Sequence, residues 1–119
     1  MSKHLVFVYG SLKKGFGNHY YLKDQKCLGE ATIKGTMISL GWFPGVCAVG
    51  NDQIQGEVYH IDDETLARLD HLEGHPRFYE RKLVWLHDGT SAWCYILPES
   101  YLQEGNHKRI PDGFWRKQA

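Results

Sequence analysis

The chain has 119 residues, the usual size of one domain and too few for two ordinary cores, so a single domain over residues 1–119 is expected. With 42% hydrophobic and 13% aromatic residues, such a chain buries about two-thirds of the surface it exposes when unfolded, and needs no metal or disulfide staple to fold. Fourteen basic residues balance fourteen acidic ones, which argues against nucleic acid or an anionic membrane as partner and leaves a neutral or zwitterionic small molecule.

The three cysteines, Cys27, Cys47 and Cys94, are odd in number and contain no close pair, so they read as free, buried thiols of a reducing compartment and not as zinc ligands. The first apolar run, Leu5-Val6-Phe7-Val8-Tyr9, is too short for a signal-peptide core or a membrane span, and a cytoplasmic location is expected.

That run is continuous and β-rich and stops at Gly10, the pattern of a central strand buried on both faces. The glycine-rich stretch 11–18 follows it and leads into His19-Tyr20-Tyr21-Leu22, read as a short helical turn. Interrupted alternation from Leu28 to Leu40 predicts a strand, and Gly41-Trp42-Phe43-Pro44-Gly45 a bulky turn. Ile54 to Ile61 alternates apolar and polar residues and predicts another strand.

A helix follows at once. Asp62, Asp63 and Glu64 cap its free amides and complement its positive end, whereas Gly74 and Pro76 end it. Leu66, Leu69 and Leu72 form its apolar stripe, and Glu64 with Arg68 is spaced for an ion pair on the wet side. Tyr79–Leu86 and Thr90–Leu97 form a hairpin around Asp88-Gly89. The tail from Pro98 lacks periodicity, with Phe114 and Trp115 placed to pin it to the body. Together these elements predict an α+β fold: one mixed or mostly antiparallel curved sheet, open or closed into a barrel, with few helices.

Within this frame Glu73 is the informative residue. At about 100° per residue it projects roughly 20° from Leu66 and 40° from Leu69, inside the apolar stripe. Burial and the negative end of the helix both disfavour its charge and raise its pKa, which suits a group that accepts a proton and returns it. The ordinary alternative is a solvated carboxylate on a frayed last turn. Asp70, about 100° from Leu69, reads as a surface charge.

The loop Gly10 to Gly17 spaces two glycines as a phosphate-binding loop does, but Phe16-Gly17 stands where Lys and Ser or Thr are required, which rejects nucleotide binding. Its free amides suit a carboxylate or a developing oxyanion, or form an ordinary connection. Ser11 lacks the flanking glycines of a nucleophile elbow and reads as a source of a hydroxyl or an amide. His71 and His75 are spaced for one metal ion, yet Gly74 breaks the helix between them and no third ligand is implied, so no metal is expected. Sparse charges at Lys108, Arg109, Arg116 and Lys117 read as a solvated face.

Four segments in order, Phe7-Val8-Tyr9-Gly10-Ser11-Leu12-Lys13, Gly56-Glu57-Val58-Tyr59, Leu69-Asp70-His71-Leu72-Glu73-Gly74 and Phe78-Tyr79-Glu80-Arg81, together resemble the γ-glutamylcyclotransferase-like family. The nearest likeness is to its γ-glutamylamine cyclotransferase branch and short bacterial relatives, over Leu5 to Leu97. The resemblance implies a small mixed, mostly antiparallel β-barrel with few flanking helices, and a cavity where the Tyr-Gly-Ser-Leu loop meets the family's glutamate, here Glu73. Tyr9, Gly10, Ser11 and Leu12 would then bind the glutamyl carboxylate and carbonyl, Tyr79 would line the same cavity, and Trp42, Phe43 and Pro44 would form another wall.

The implied reaction is closure of a γ-glutamyl amine or γ-glutamyl amino acid to 5-oxoproline with release of the amine. It needs no cofactor, and the protein would be a monomer or weak homodimer. The rival expectation is a module that binds a small ligand in the same cavity without turning it over, because fold does not dictate reaction.

Overall fold

The computed structural model describes residues 3–103, 105 and 107–117. Five strands occur in chain order: β1 (Lys3–Val8), β2 (Lys26–Ser39), β3 (Pro44–Asp62), β4 (Glu80–Trp85) and β5 (Ser91–Ile96). They form one sheet in the order β2-β3-β1-β5-β4, with β1 and β5 parallel and the other neighbours antiparallel. A 3₁₀ turn spans His19–Leu22, and two helices, α1 (Asp63–Leu72) and α2 (Ser100–Gln103), complete the fold. The sequence reading thus held for the mixed, mostly antiparallel sheet and the scarcity of helices.

The central place of β1 follows from its apolar run. Successive side chains of a strand point to opposite faces, so an unbroken run is stable only where both faces are covered. Val6 and Val8 enter one core, with Ile61, Leu66 and Leu69, and α1 covers that side. Phe7 and Tyr9 enter the other, with Ile33, Ile54 and Trp115 inside the curve of the sheet.

The expected closure into a barrel does not occur. The edges β2 and β4 meet through His87, whose N–H donates to the Thr32 carbonyl at 3.0 Å and whose Nδ1 accepts from the Thr32 N–H at 3.3 Å. The six residues of β4 are too few to ladder along the 14 of β2, so the sheet curls without sealing.

The turn expected over residues 41–45 is shorter, because Pro44 and Gly45 already belong to β3. That strand runs for 19 residues where alternation announced only its second half. It pairs with β2 in three registers, Pro44–Cys47, Asp52–Val58 and Tyr59–His60, separated by shifts at Gly35/Thr36 and Cys27/Gly29. Thr36 Oγ1 donates to the Val49 carbonyl at 2.8 Å across the irregularity, and Gly50 there adopts φ +97°.

Helix α1 begins and ends as its residues dictate. Asp62 is extended at ψ 172° and its carboxylate accepts from the Thr65 N–H at 2.8 Å. Gly74 takes φ +67°, which favours glycine, and the chain turns away before Pro76. Leu66 and Leu69 are buried, each contributing about 2 kcal/mol by removal from water. Arg68, expected to serve Glu64, lies over the Tyr21 ring at 5.2 Å.

The tail is more engaged than its polar composition announced. Backbone bonds join Lys108 to Ser39, Ile110 to Met37 and Gly113 to Gln55, and Trp115 is buried.

Candidate active site

A cavity of about 410 Å³ opens beside the carboxyl ends of the two central parallel strands. Its floor is the end of β1 and the loop that follows it, from Tyr9 to Leu12. One wall is Leu72 and Glu73 at the end of α1, continued by Phe78 and Tyr79 before β4. The opposite wall is Trp42, Phe43 and Pro44, and Tyr95 of β5 closes the base. All nine residues singled out in the sequence, Tyr9, Gly10, Ser11, Leu12, Trp42, Phe43, Pro44, Glu73 and Tyr79, therefore line one hollow.

Hydrogen bonding inside the loop leaves its amides available. The Gly10 carbonyl accepts from Lys13 N–H at 3.0 Å, the Ser11 carbonyl from Asn18 N–H at 3.0 Å, and the Leu12 carbonyl bonds His19 Nδ1 at 2.9 Å. These bonds fold the carbonyls into the loop's own turns. Among the described residues, the N–H groups of Gly10, Ser11 and Leu12 donate to no protein acceptor. Donors left free beside a cavity form a concave binding surface for an anion or oxyanion. The Ser11 hydroxyl accepts from Asn18 Nδ2 at 2.9 Å, an orientation that fixes it as part of the loop.

Gly10 is required by close approach. A Cβ there would lie 2.8 Å from Pro44 Cγ and 3.0 Å from Cδ, so the absence of a side chain lets the floor and the opposite wall meet.

Glu73 is the C-cap of α1, with its N–H donating to the Leu69 carbonyl at 2.9 Å, which keeps the last turn wound instead of frayed. Its carboxylate sits in the wall, and burial raises its pKa from the ordinary 4.5 to about 7. Among the described residues no cation pairs with it, and no lysine or arginine lines the cavity. The group is therefore poised to exist in both protonation states near neutrality.

Two buried phenols brace the cavity. Tyr79 donates to the Pro44 carbonyl at 2.6 Å, and its N–H donates to the Glu73 carbonyl at 3.3 Å, so it ties the two walls together. Tyr9 donates to the Tyr95 carbonyl at 2.7 Å. Burial pushes both hydroxyls well above the usual phenol range, with the nearby Glu73 charge adding to the effect. They stay protonated and act as donors.

Asp70 corrects the reading of a surface charge. It accepts from the Tyr95 hydroxyl at 2.7 Å and lies 3.3 Å from Arg81 Nε, partners that β4 and β5 bring beneath the helix. His75, the other half of the conceivable metal pair, accepts the Arg81 N–H at 2.9 Å. Among the described residues no group of three His, Cys, Asp or Glu side chains is placed to hold a metal ion.

Six further lining residues, Phe7, Val8, Asn18, Leu72, Phe78 and Tyr95, were not assigned to the site from the sequence. Phe78 stands beside Tyr79 in the Phe78-Tyr79-Glu80-Arg81 segment, which was a usable signal. Tyr95 looks like any aromatic residue of a half-buried strand, and nothing local marks it.

The family described as γ-glutamyl cyclotransferase, AIG2-like, matches residues 6–117. A Vibrio cholerae protein is 41% identical over 115 residues, covering 95% of this chain and 96% of its own length. The solution structure of the Escherichia coli protein ytfP superposes with a TM-score of 0.69 at 38% identity, over 93% of this chain and 95% of that one. A mouse AIG2-like protein superposes at 0.84 over 98% of this chain and 90% of that one, with 19% identity, a likeness of fold alone.

Proposed function

The chain belongs to the AIG2-like γ-glutamyl cyclotransferase family, and on that premise we propose that it converts a γ-glutamyl amine to 5-oxoproline and free amine, with Glu73 as the catalytic acid and base. The observation that carries this reading is the placement of a carboxylate with a pKa of about 7 in the wall of a cavity floored by the unbonded amides of Gly10, Ser11 and Leu12.

The substrate's own α-amine is the nucleophile. Glu73 takes a proton from the α-ammonium, and the freed nitrogen attacks the γ-carbonyl carbon. The carbonyl oxygen becomes an oxyanion facing the loop amides, which are already oriented and need no reorganisation as charge develops. The carbon–nitrogen bond to the leaving group then breaks as Glu73 returns a proton to the departing nitrogen. Over the whole turnover the attacking nitrogen sheds two protons and the leaving nitrogen gains two, so one carboxyl serves both ends. Holding the glutamyl chain folded makes the attack intramolecular, which supplies much of the acceleration without a cofactor.

The leaving group projects toward Trp42, Phe43 and Phe78. Trp42 is 77% exposed, and Phe43 meets Phe78 edge-on at 6.2 Å, so the outer subsite presents aromatic faces to the mouth. Aromatic faces attract apolar or cationic groups. Among the described residues that line the cavity, no lysine or arginine is placed to receive the α-carboxylate of a departing amino acid. Alkyl, aromatic or cationic amines are therefore the favoured leaving groups.

The deciding experiment incubates the protein with matched γ-glutamyl amines and γ-glutamyl amino acids and measures 5-oxoproline. Release from the amines that disappears in Glu73→Gln is the expected result. Tight binding of the whole panel without product would replace the enzyme with a binding module.

A further inference from the structure

The loop that floors the cavity has a back as well as a front, and the back is where the fold places its most buried charge. Lys13 follows directly on the three unbonded amides, yet only 4% of it is exposed. Its ammonium donates to the Trp115 carbonyl at 2.9 Å, and lies 4.0 Å from the centre of the Phe114 ring and 5.0 Å from that of Phe16. Burial lowers its pKa, and the negative charge of Glu57 opposes that effect.

Burying an ammonium is expensive, and a methionine of similar length would fill the space without the cost. What the ammonium adds is direction: a hydrogen bond to one carbonyl, reinforced by two aromatic faces. Glu57 adds a second hold from β3, its Oε1 accepting from the Lys14 N–H at 3.0 Å.

The carbonyl that Lys13 reaches is itself immobilised. The Gly113 carbonyl accepts from the Gln55 N–H at 2.8 Å, and Gly113 takes φ +64°, packed so tightly against the Gln53 carbonyl that a side chain could not enter. Trp115 is inserted into the inner core. Residues 110–115 thus run behind the loop as a strap anchored on β2 and β3.

We infer that Lys13 is a positioning residue for the cyclisation: its buried ammonium, clamped by the strap at Phe114 and Trp115, fixes the Gly10–Leu12 amides at the place where the oxyanion forms. This rests on the proposed reaction. The loop carbonyls are bonded locally, by the N–H groups of Lys13 and Asn18 and by His19 Nδ1, and those bonds shape the loop without tying it to the sheet. Leu12 packs into the core and Gly10 against Pro44, but among the described residues the hydrogen bonds from this loop to β3 and to the tail are those of Lys14 and Lys13.

The test compares wild type, Lys13→Met, Lys13→Arg and Phe114→Ala by steady-state kinetics and by backbone amide order parameters of Gly10, Ser11 and Leu12. A loosened oxyanion site costs more in the transition state than in substrate binding. Lys13→Met is therefore expected to lower kcat by roughly 10- to 100-fold with KM changed less than about threefold. Lys13→Arg keeps the donor and the stacked cation and is expected to recover most of kcat. Phe114→Ala, at a half-exposed residue whose loss the fold tolerates, is expected to lower kcat by a few fold and carries the test if Lys13→Met does not fold.

Order parameters at the three amides should fall in the same variants, a readout that needs no turnover. If they are unchanged, or if kcat stays within twofold of wild type in Lys13→Met, or in Phe114→Ala where the former does not fold, the positioning role is wrong. A wild-type protein that yields no 5-oxoproline while its Lys13→Met order parameters fall would overturn the proposed reaction and with it the catalytic purpose of the clamp.

Discussion

Replacing Glu73 by glutamine separates its catalytic role from its structural cost. In the folded chain the carboxyl ionises at about 7, against the ordinary value of 4.5. Between pH 4.5 and 7 the native protein holds a proton that the unfolded chain has released, so wild-type stability falls as pH rises through that window and levels off above it. Each pKa unit is worth about 1.4 kcal/mol, so the penalty above pH 7 reaches about 3 kcal/mol at most, reduced by the exposure Glu73 retains.

Glutamine keeps the shape and carries no charge. Glu73→Gln is therefore expected to match wild type in urea denaturation at pH 4 and to be more stable by about 1–3 kcal/mol at pH 8.5. The same substitution is expected to lower 5-oxoproline release by about 10²- to 10⁴-fold, the usual contribution of a positioned acid and base. Equal stability of the two proteins at pH 8.5 would falsify burial of the charged group, and undiminished turnover would remove it from the chemistry.

Three other outcomes are expected. The kcat/KM profile of wild type should rise with pH through an inflection near 7, as Glu73 loses its proton and becomes the base; a profile flat from pH 5 to 9 would point to another group. Gly10→Ala forces the loop away from the Pro44 ring and should cost about 1–3 kcal/mol in stability and at least roughly tenfold in kcat/KM, whereas wild-type kinetics would show that the two walls need not touch. Tyr79→Phe leaves the Pro44 carbonyl without its donor and should lower stability by about 1–3 kcal/mol in urea denaturation, an effect absent if the carbonyl finds another partner.

Much of the site was legible because its signals are local. The angular position of Glu73 relative to Leu66 and Leu69 needs only the pitch of a helix, and the stop at Gly74 needs only one glycine with a positive φ. The strand ending at the glycine-rich loop and the hairpin turn at Asp88-Gly89 are equally short-range, with Gly89 at φ +89°. The first half of β3 was not legible: Val46 and Cys47 are held by pairing with Thr36 and Met37 across a register shift that no periodicity announces.

The sequence by itself determined β1, the second half of β3, the β4–β5 hairpin, α1 with its caps and the inward aim of Glu73, because each follows from interactions within a few residues. Only the tertiary structure decided that Asp70 bonds Tyr95, 25 positions away, and that Lys13 bonds Trp115, 102 positions away. Those pairs depend on β5 lying parallel to β1 and on the tail crossing behind the loop. Side chains far apart in sequence acquire partners only when strand order and register bring them together, and neither is written in the local pattern around any one of them.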